Sequence, residues 1–503
     1  MKRRDLIVGG ATVAAGAAAG MWWLRCGGDP PPPRSGGGDN ARNRMASDGG
    51  PARDDASRPR PNVLMVAIDD MKPWVGPHGF AAAHTPSLDA LAKRGVVFRR
   101  AYCAAPACSP SRAAVFTGLP PHETGVYFNR HNWRDARPDA ITLPRLLRDA
   151  GYYTAGYGKL FHGKRHDDTP GWDDRVFHKH LETPKQAPFN GLKTYWKKAG
   201  KLDWGPVDVP VETMDDHKQV DRAVAAMQAE RDQPWFIACG IFRPHLPWYV
   251  PRQFFDLYPL DEVPLPEVPK DDLDDVPKRG RWFANTREHK LIVNNGQWRE
   301  AVQGYLASIS YADFELGRLL DGTPPDTCIV LWSDHGWHLG PKNHWQKYTL
   351  WEEAAQTVFA VAGPGAAEGK LCDRTVSLLD VYPTIAELCG VTPPTALAGR
   401  SVVPLAHDPT ADWARPALTT YGKGNHSIRG ERYRYIRYND GGEELYDHDV
   451  DPHEWTNLAG TAGARPIIRE LSRWLPANDA DQTGKRRGTW LEAPGGRRVL
   501  VPA

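Results

Sequence analysis

The most distinctive chemical motif of this sequence joins a cysteine to an arginine four residues later, in Cys108-Ser109-Pro110-Ser111-Arg112. Ser109 is a typical N-cap residue, and Pro110 suits the first helical position, where a missing N–H costs nothing. Cys108 is then predicted just outside a helix N-terminus, which favours an anion. Arg112 adds a permanent charge suited to an oxyanion. The alternative interpretation is a buried structural cysteine before an ordinary helix.

Metal-ligand side chains follow two separate apolar runs of the chain. Asp69-Asp70 follows the first run and Asp334-His335 the second. Ligands of open α/β sheets bind at the carboxyl ends of strands, and two adjacent carboxylates repel each other unless a cation lies between them. The sequence therefore predicts a hard-metal site, with solvated acidic turns as the alternative. A zinc site built on His335 and His338 lacks further soft ligands nearby.

Three further segments carry side chains that could bind an anion or transfer a proton. Lys159 and His162 follow a glycine turn, His245 lies between two prolines that restrict the backbone, and Lys347 follows a tryptophan-glutamine pair. Taken alone, each has an ordinary explanation as a solvated loop, a core histidine or a surface lysine.

The elements that must position these residues can be read from the apolar pattern. Runs at 62–68, 235–241 and 327–332 predict strands buried on both faces, as in a parallel sheet. A shorter strand is expected at 152–157. Helices are predicted at 141–150, 300–320 and 378–385, and 259–295 is expected to be irregular. The predicted fold is α/β, with a large central, mostly parallel sheet flanked by helices.

The C-terminal part of the chain has a different pattern. Residues 427–438 alternate around turn residues, which predicts antiparallel hairpins, and 467–475 predicts a last helix. We therefore expect a catalytic domain over 61–403 and a small antiparallel sheet-and-helix subdomain over 404–503.

The N-terminus predicts export. Arg3 and Arg4 precede a weakly apolar run, so residues 1–26 are predicted to be a Tat-type signal, recognised by the Tat export machinery. An uncleaved membrane anchor is the alternative, and lipidation of Cys26 is disfavoured by Arg25. Residues 27–60 are rich in Pro and Gly and are predicted to be a disordered linker. The expected location is the periplasm or cell envelope.

Charge and cysteine content exclude some functions. The 503 residues include 63 basic and 61 acidic side chains, a formal net charge of +2, so no global field favours nucleic acid. The seven cysteines are too sparse and irregularly spaced for a disulfide framework or a Cys-x-x-Cys zinc site.

The Cys-x-Pro-Ser-Arg motif resembles the signature at which type I sulfatases, of the alkaline phosphatase superfamily, convert a cysteine to formylglycine. The resemblance extends from Pro61 into the C-terminal region. The local sequences around Lys159, His245 and Asp334 look most like those of the iduronate-2-sulfatase branch. The resemblance implies one bound Ca²⁺ and a formylglycine-generating enzyme as a partner. It implies these metal ligands: Asp69, Asp70, Asp334 and His335, together with the modified Cys108.

The resemblance also implies roles for the remaining polar residues. Arg112, Lys159 and Lys347 would balance the charge of the sulfate group. His162 would serve the formylglycine hydroxyl, and His245 would face the leaving-group oxygen. The expected reaction is hydrolysis of a sulfate ester on a sugar or polysaccharide, with a 2-sulfated uronate as the favoured substrate. The alternatives are a phosphonate monoester or phosphodiester hydrolase and a non-catalytic carbohydrate-binding relative.

Overall fold

The computed structural model of the protein describes residues 60–179, 189–192, 202–483, 489–493 and 497–501. The predicted export signal and the linker up to residue 59 lie outside these ranges. Within them, no helix is both long enough and apolar enough to span a membrane.

The strands are numbered in chain order. They are β1 Val63–Ile68, β2 Gly95–Tyr102, β3 Tyr153–Gly158, β4 Asp174–Phe177, β5 Trp204–Val207, β6 Trp235–Ile241, β7 Trp248–Pro251, β8 Cys328–Ser333, β9 His338–Gly340, β10 His344–Gln346, β11 Gln356–Thr357, β12 Phe359–Ala362, β13 Lys370–Ser377, β14 Ala417–Thr420, β15 His426–Arg429, β16 Tyr433–Arg437, β17 Glu443–Asp447, β18 Thr489–Ala493 and β19 Arg497–Val501. The predicted strands match β1, β3, β6 and β8 to within one residue at every end.

A nine-stranded sheet forms the centre of the fold. Its order runs β11-β2-β12-β8-β1-β6-β3-β4, and β13 pairs with β2. The pairs β8–β1, β1–β6, β6–β3 and β3–β4 are all parallel, whereas β12 runs antiparallel to both of its neighbours. The predicted α/β class with a mostly parallel sheet is therefore confirmed.

The core lies on both faces of this sheet, as the continuous apolar run of β1 requires. All six residues of β1 are fully buried. Leu64, Val66 and Ile68 enter one hydrophobic cluster, while the alternate residues Val63 and Met65 enter another. Because successive side chains of a strand point to opposite faces, helices must cover the sheet on both sides.

The α-helices, also numbered in chain order, flank the sheet. They are α1 Pro86–Lys93, α2 Cys108–Thr117, α3 Pro121–Thr124, α4 Trp133–Ala136, α5 Leu143–Asp149, α6 Asp215–Gln228, α7 Arg252–Phe255, α8 Lys278–Ala284, α9 Arg287–Asn294, α10 Trp298–Asp321, α11 Glu352–Ala355, α12 Val381–Leu388, α13 Val403–His407 and α14 Ala464–Ser472. The expectation that 259–295 is irregular was wrong, because α8 and α9 form there. Their buried residues, such as Phe283 and Ile292, pack on the core despite the charged surroundings.

A second, smaller sheet lies near the C-terminus. It is antiparallel, with the order β14-β15-β16-β17. Ile468 and Leu471 of α14 cluster with Ile428 and Tyr435 of this sheet. The hairpins and the helix predicted for this region are both present.

Candidate active site

Four neighbouring strands deliver most of the predicted site residues to one edge of the sheet. In the order β8-β1-β6-β3, the strands end immediately or shortly before Asp334, Asp69, His245 and Lys159. The carboxyl ends of parallel strands meet at the same edge, so residues far apart in the chain become neighbours.

Cys108 is the point on which these side chains converge. Its sulfur lies 3.0 Å from Nζ of Lys347, 3.4 Å from Nε2 of His335, 3.7 Å from Oδ1 of Asp70 and 4.0 Å from Nζ of Lys159. Complete burial raises the pKa of the Cys108 thiol above its ordinary value, even though two lysines oppose this effect. The unmodified side chain is therefore a neutral thiol at physiological pH.

The helix that carries Cys108 begins earlier than predicted. Ala107 is the N-cap residue, Cys108 is the first helical residue, and Ser111 N donates to Ala107 O at 3.0 Å. The assignment of Ser109 as N-cap was therefore wrong. Pro110 is tolerated at the third helical position because the first turn of a helix has no intrahelical acceptors for its N–H groups.

The acidic residues form a buried cluster beside the sulfur. Asp70 Oδ1 lies 3.3 Å from His335 Nε2, which is also 3.6 Å from Asp334 Oδ2. Asp70 N donates to Asp334 Oδ1 at 3.0 Å, which joins the ends of β1 and β8. Asp70 has a φ of 61°, a left-handed conformation that is costly for a non-glycine residue. The fold thus holds the Asp70 carboxylate in place at some conformational expense.

The charge of this cluster is not fully compensated within the described part of the chain. Burial, together with Asp69 and Asp334, raises the pKa of Asp70 to about 7 against the pull of Lys347. Asp70 Oδ2 is buried and accepts no hydrogen bond from any described residue. Burial lowers the pKa of His335 to about 4, which keeps its ring neutral and able to coordinate a metal. A cation bound here would reduce the repulsion between the carboxylates and would give Asp70 Oδ2 a partner.

Asp69 and Arg112 form a second charged group behind the first. Arg112 is fully buried, and its guanidinium donates to Asp334 Oδ2, to Asp69 Oδ1 and to the carbonyl oxygens of Lys159 and Leu160. The sequence suggested that Arg112 faces an oxyanion. Its nitrogens instead hold the acidic cluster and the Lys159 loop in position.

Lys159 completes this second group. Its ammonium pairs with Asp69 Oδ2. Burial would raise the pKa of Asp69, but Lys159, His245 and Arg112 hold it well below its ordinary value. Asp69 is therefore ionised and engaged on both oxygens.

Lys347 reaches the site from a loop after β10. Its Nζ donates to Asp70 Oδ1 at 2.6 Å. Burial would lower the pKa of Lys347, but the contacts with Asp70 and the Cys108 sulfur raise it above its ordinary value. Gln346 and Tyr348 on either side both have positive φ, and Tyr348 N donates to Pro106 O at 3.1 Å. The loop is thus fixed to the segment that precedes Cys108.

The two predicted histidines are placed differently. His245 Nε2 lies 3.6 Å from Asp70 Oδ2, and its side chain is 24% exposed, so it contacts the cluster and is partly open to solvent. Its Nδ1 lies 2.6 Å from Leu246 O, so Nδ1–H is the donor and Nε2 is left for chemistry. Burial and nearby Lys159 hold the pKa of His245 well below its ordinary value.

His162 has no hydrogen bond or ion pair to Cys108 among the contacts of the described residues. Its pKa is lowered to about 2 by burial and by Lys159 and Lys347. Its ring centroid lies 5.7 Å from that of His166. His338 does not join the cluster as a zinc ligand, since its two nitrogens contact Pro341 O at 3.0 Å and Thr349 Oγ1 at 2.7 Å.

Three residues that sequence reasoning missed also build the site. Tyr305 OH donates to Asp70 O at 2.8 Å, and Ser111 Oγ donates to Asp334 O at 2.6 Å. Asn129 Oδ1 accepts from Ser109 N at 2.9 Å. Ser111 lies inside the signature motif and could have been considered. The sequence did not indicate a role for Tyr305 in the site, because this residue fits the apolar face of α10.

Comparison with known proteins identifies the group to which this chain belongs. Residues 61–391 match the family described as Sulfatase, and residues 340–481 match the C-terminal family of N-sulphoglucosamine sulphohydrolase. The chain belongs to the sulfatase family. The family and the enzyme class predicted from the sequence, a sulfuric ester hydrolase, are both confirmed.

Among curated relatives, a "Sulfatase" of Formosa agariphila is 37% identical over 84% of this chain and 87% of its own length. A choline-sulfatase of Rhizobium meliloti is 31% identical over 80% of this chain and 82% of its own. Human iduronate 2-sulfatase is 30% identical over 65% of this chain and 64% of its own. A phosphonate monoester hydrolase of Silicibacter pomeroyi has the same fold, with a TM-score of 0.69 and 22% identity over 82% of this chain and 94% of its own.

Proposed function

We propose that this sulfatase hydrolyses sulfate esters of a sugar or polysaccharide, with a nucleophile made from Cys108 by a formylglycine-generating enzyme. The observation that carries the proposal is the convergence of two lysines, three carboxylates and two histidines around one buried cysteine. Burying so many charged groups is costly, and a purely structural cysteine gives no reason for that cost. Such clusters of perturbed titratable groups are typical of functional sites.

The state of the thiol supports modification. A neutral, buried thiol is a poor nucleophile, because the thiolate is the reactive form. Conversion to formylglycine would supply a hydrated aldehyde whose hydroxyl attacks sulfur. Nζ of Lys347, 3.0 Å from the present sulfur, would stabilise the negative charge that develops at this position.

A divalent cation fits the acidic cluster, and we propose Ca²⁺. Asp69, Asp70, Asp334 and His335 would hold it, together with the modified Cys108. Carboxylate oxygens dominate this set, and Asp70 Oδ2 is buried without a hydrogen-bond donor among the described residues. When bound, the metal would polarise the sulfate group and favour ionisation of the nucleophile.

Positioned charges and one histidine would perform the remaining chemistry. Lys159 and Lys347 would bind sulfate oxygens, while Arg112 orients Asp69 and Asp334. His245 Nε2 would donate a proton to the leaving alcohol oxygen, and His162 would accept the proton of the formylglycine hydroxyl. A bound sulfate anion would offset the lysine charge that lowers the pKa of His245, and would thereby favour the protonated acid.

A 2-sulfated uronate is the favoured substrate. Human iduronate 2-sulfatase is among the relatives, and so is a Δ4,5-hexuronate-2-O-sulfatase of Bacteroides thetaiotaomicron, 27% identical over 82% of this chain. Because a choline-sulfatase is among the relatives, choline sulfate belongs in the panel of substrates to be tested. The fold shared with a phosphonate monoester hydrolase keeps phosphoryl transfer as the second candidate.

Peptide mass spectrometry and substrate profiling test the proposal together. Protein co-expressed with a formylglycine-generating enzyme should carry the aldehyde or its hydrate at position 108, and should release sulfate from sulfated sugars. Cys108→Ala should abolish turnover while the fold persists, since the change only trims one side chain. Full activity of the unmodified thiol, or activity confined to phosphate diesters and phosphonates, would overturn the proposal.

We also propose export through the Tat machinery to the periplasm or cell envelope, supported by the Arg3-Arg4 start. Replacing both arginines by lysine should retain the enzyme in the cytoplasm, as measured by cell fractionation. Unchanged export of that variant would contradict the assignment.

A further inference from the structure

Two surface loops that meet near the site carry three cationic side chains. Arg130, Lys164 and Arg165 are all exposed, and none forms an ion pair with a carboxylate of the described residues. We call these three residues the rim cluster. In a chain with nearly balanced charge, such a group attracts anions locally.

Hydrogen bonds connect the loop that carries Arg130 to the first turn of α2 and to Tyr348. Asn129, which precedes Arg130, accepts from Ser109 N and donates through Nδ2 to Tyr348 OH at 3.2 Å. Tyr348 follows the Lys347 that contacts the Cys108 sulfur. Asn129 therefore fixes the backbone next to Arg130 to the first turn of α2.

The second segment of the rim cluster comes from the His162 loop. Arg165 Nη2 donates to Arg130 O at 2.9 Å, and its Nε lies 3.3 Å from His166 Nε2. The loop that carries Asn129 and Arg130 and the loop that carries Lys159 and Arg165 therefore meet at these two arginines.

Aromatic rings lie beside the cations. The Phe128 and Tyr348 ring centroids are 5.6 and 5.8 Å from that of Tyr421, and all three side chains are half-buried. The Arg130 guanidinium lies 4.7 Å from the Phe128 centroid. Aromatic faces next to guanidinium groups suit a sugar ring that carries an anionic substituent.

We propose that Arg130 and Arg165 bind a second anionic group of the substrate, a carboxylate or an additional sulfate, while the scissile sulfate occupies the site at Cys108. This inference rests on the proposed sulfatase activity and narrows its substrate class to polyanionic sugars. The planar guanidinium presents paired donors that match a carboxylate or sulfate. The same charges disfavour a substrate with a cationic group beside its sulfate.

The test compares two sulfate esters in wild-type protein and in Arg130→Gln, Arg165→Gln and the double variant. One ester is an aryl sulfate without a second anion, and the other is a disaccharide containing a 2-sulfated uronate. Arg469→Gln is the matched control, because it removes one exposed charge from α14, outside the site. We expect each rim substitution to lower kcat/KM for the disaccharide about ten-fold or more, mainly through KM, and to affect the aryl sulfate far less.

Equal losses for both substrates, or losses no larger than those of Arg469→Gln, would overturn the inference while leaving the sulfatase assignment intact. If wild-type protein cleaves no sulfate ester, the proposed function fails separately. Calorimetric binding of the same disaccharide to the Cys108→Ala protein then decides the inference. Binding that weakens about ten-fold in the rim variants supports it, and unchanged binding refutes it.

Discussion

Of the side chains that contact the Cys108 sulfur in the described structure, Lys347 approaches it most closely. Its ammonium contacts both the sulfur and Asp70 Oδ1, so it joins Cys108 to the acidic cluster. A flexible exposed lysine could not hold such a position. Complete burial and a loop with positive φ on both sides fix it.

Replacing this ammonium by an apolar group of similar length should remove charge stabilisation from the transition state. We expect Lys347→Met to lower kcat by about 10²–10³, by analogy with the loss of one oxyanion-hole donor. Lys370→Met, at the exposed start of β13, is the matched control. Steady-state sulfate release measures both variants. Turnover of Lys347→Met equal to that of the control would show that this lysine is not part of the catalytic machinery.

At the level of secondary structure, the apolar runs predicted the strands well. A strand that is buried on both faces needs apolar residues at every position, so its sequence is easy to recognise. The polar residues that followed those runs were correctly expected at one edge. The exact start of α2 was not predictable, because Ser109 and Pro110 are each compatible with several positions in the first turn. The orientation of the Arg112 side chain could not be predicted from the sequence either. Only the folded chain shows that four acceptors surround it.

The ends of β3 and β6 illustrate why glycine is needed where Lys159 leaves the sheet. Gly158 has a φ of +76°, and Lys159 N donates to Gly240 O at 3.0 Å. A Cβ at Gly240 would lie 2.2 Å from Lys159 O, which no real contact permits. The backbone of the lysine loop therefore packs directly against β6.

Gly240→Ala should force this backbone away and displace the ammonium of Lys159. We expect the unfolding free energy to fall by about 1–3 kcal/mol, as for other overpacked sites, together with a loss of kcat. Gly460→Ala, where an added Cβ meets nothing within 4 Å, is the control. Denaturant unfolding and sulfate release are the measurements. A fully stable and active Gly240→Ala protein would contradict the close packing.

At the scale of the whole molecule, charged contacts tie the C-terminal sheet to the edge of the central sheet that carries the candidate site. Arg434 of β16 is fully buried and pairs with Glu352 and Glu454. The adjacent Glu353 pairs with Lys72, which lies two residues after Asp70. The small sheet is thus linked through α11 to the loop that carries the acidic cluster, so stability of the fold and geometry of the site are connected.

Metal binding should therefore stabilise the entire fold. Asp69, Asp70 and Asp334 are brought together only when β1 and β8 pair, so the unfolded chain offers no equivalent site. A ligand that binds only the folded state adds about 2.7 kcal/mol at a hundred-fold excess over its Kd. Removing divalent metal with a chelator should lower the Tm and abolish turnover, and Ca²⁺ should restore both.

Asp70→Asn is the informative variant for this prediction. It removes the buried charge whose repulsion the metal would relieve, so its Tm should respond much less to chelator and to added Ca²⁺. Thermal unfolding with parallel elemental analysis measures the effect. Stoichiometric zinc in dialysed active enzyme would assign a different metal. Turnover and Tm that survive verified loss of all metal would refute the site, because three buried carboxylates would then be compensated by Lys159, Lys347 and Arg112 alone.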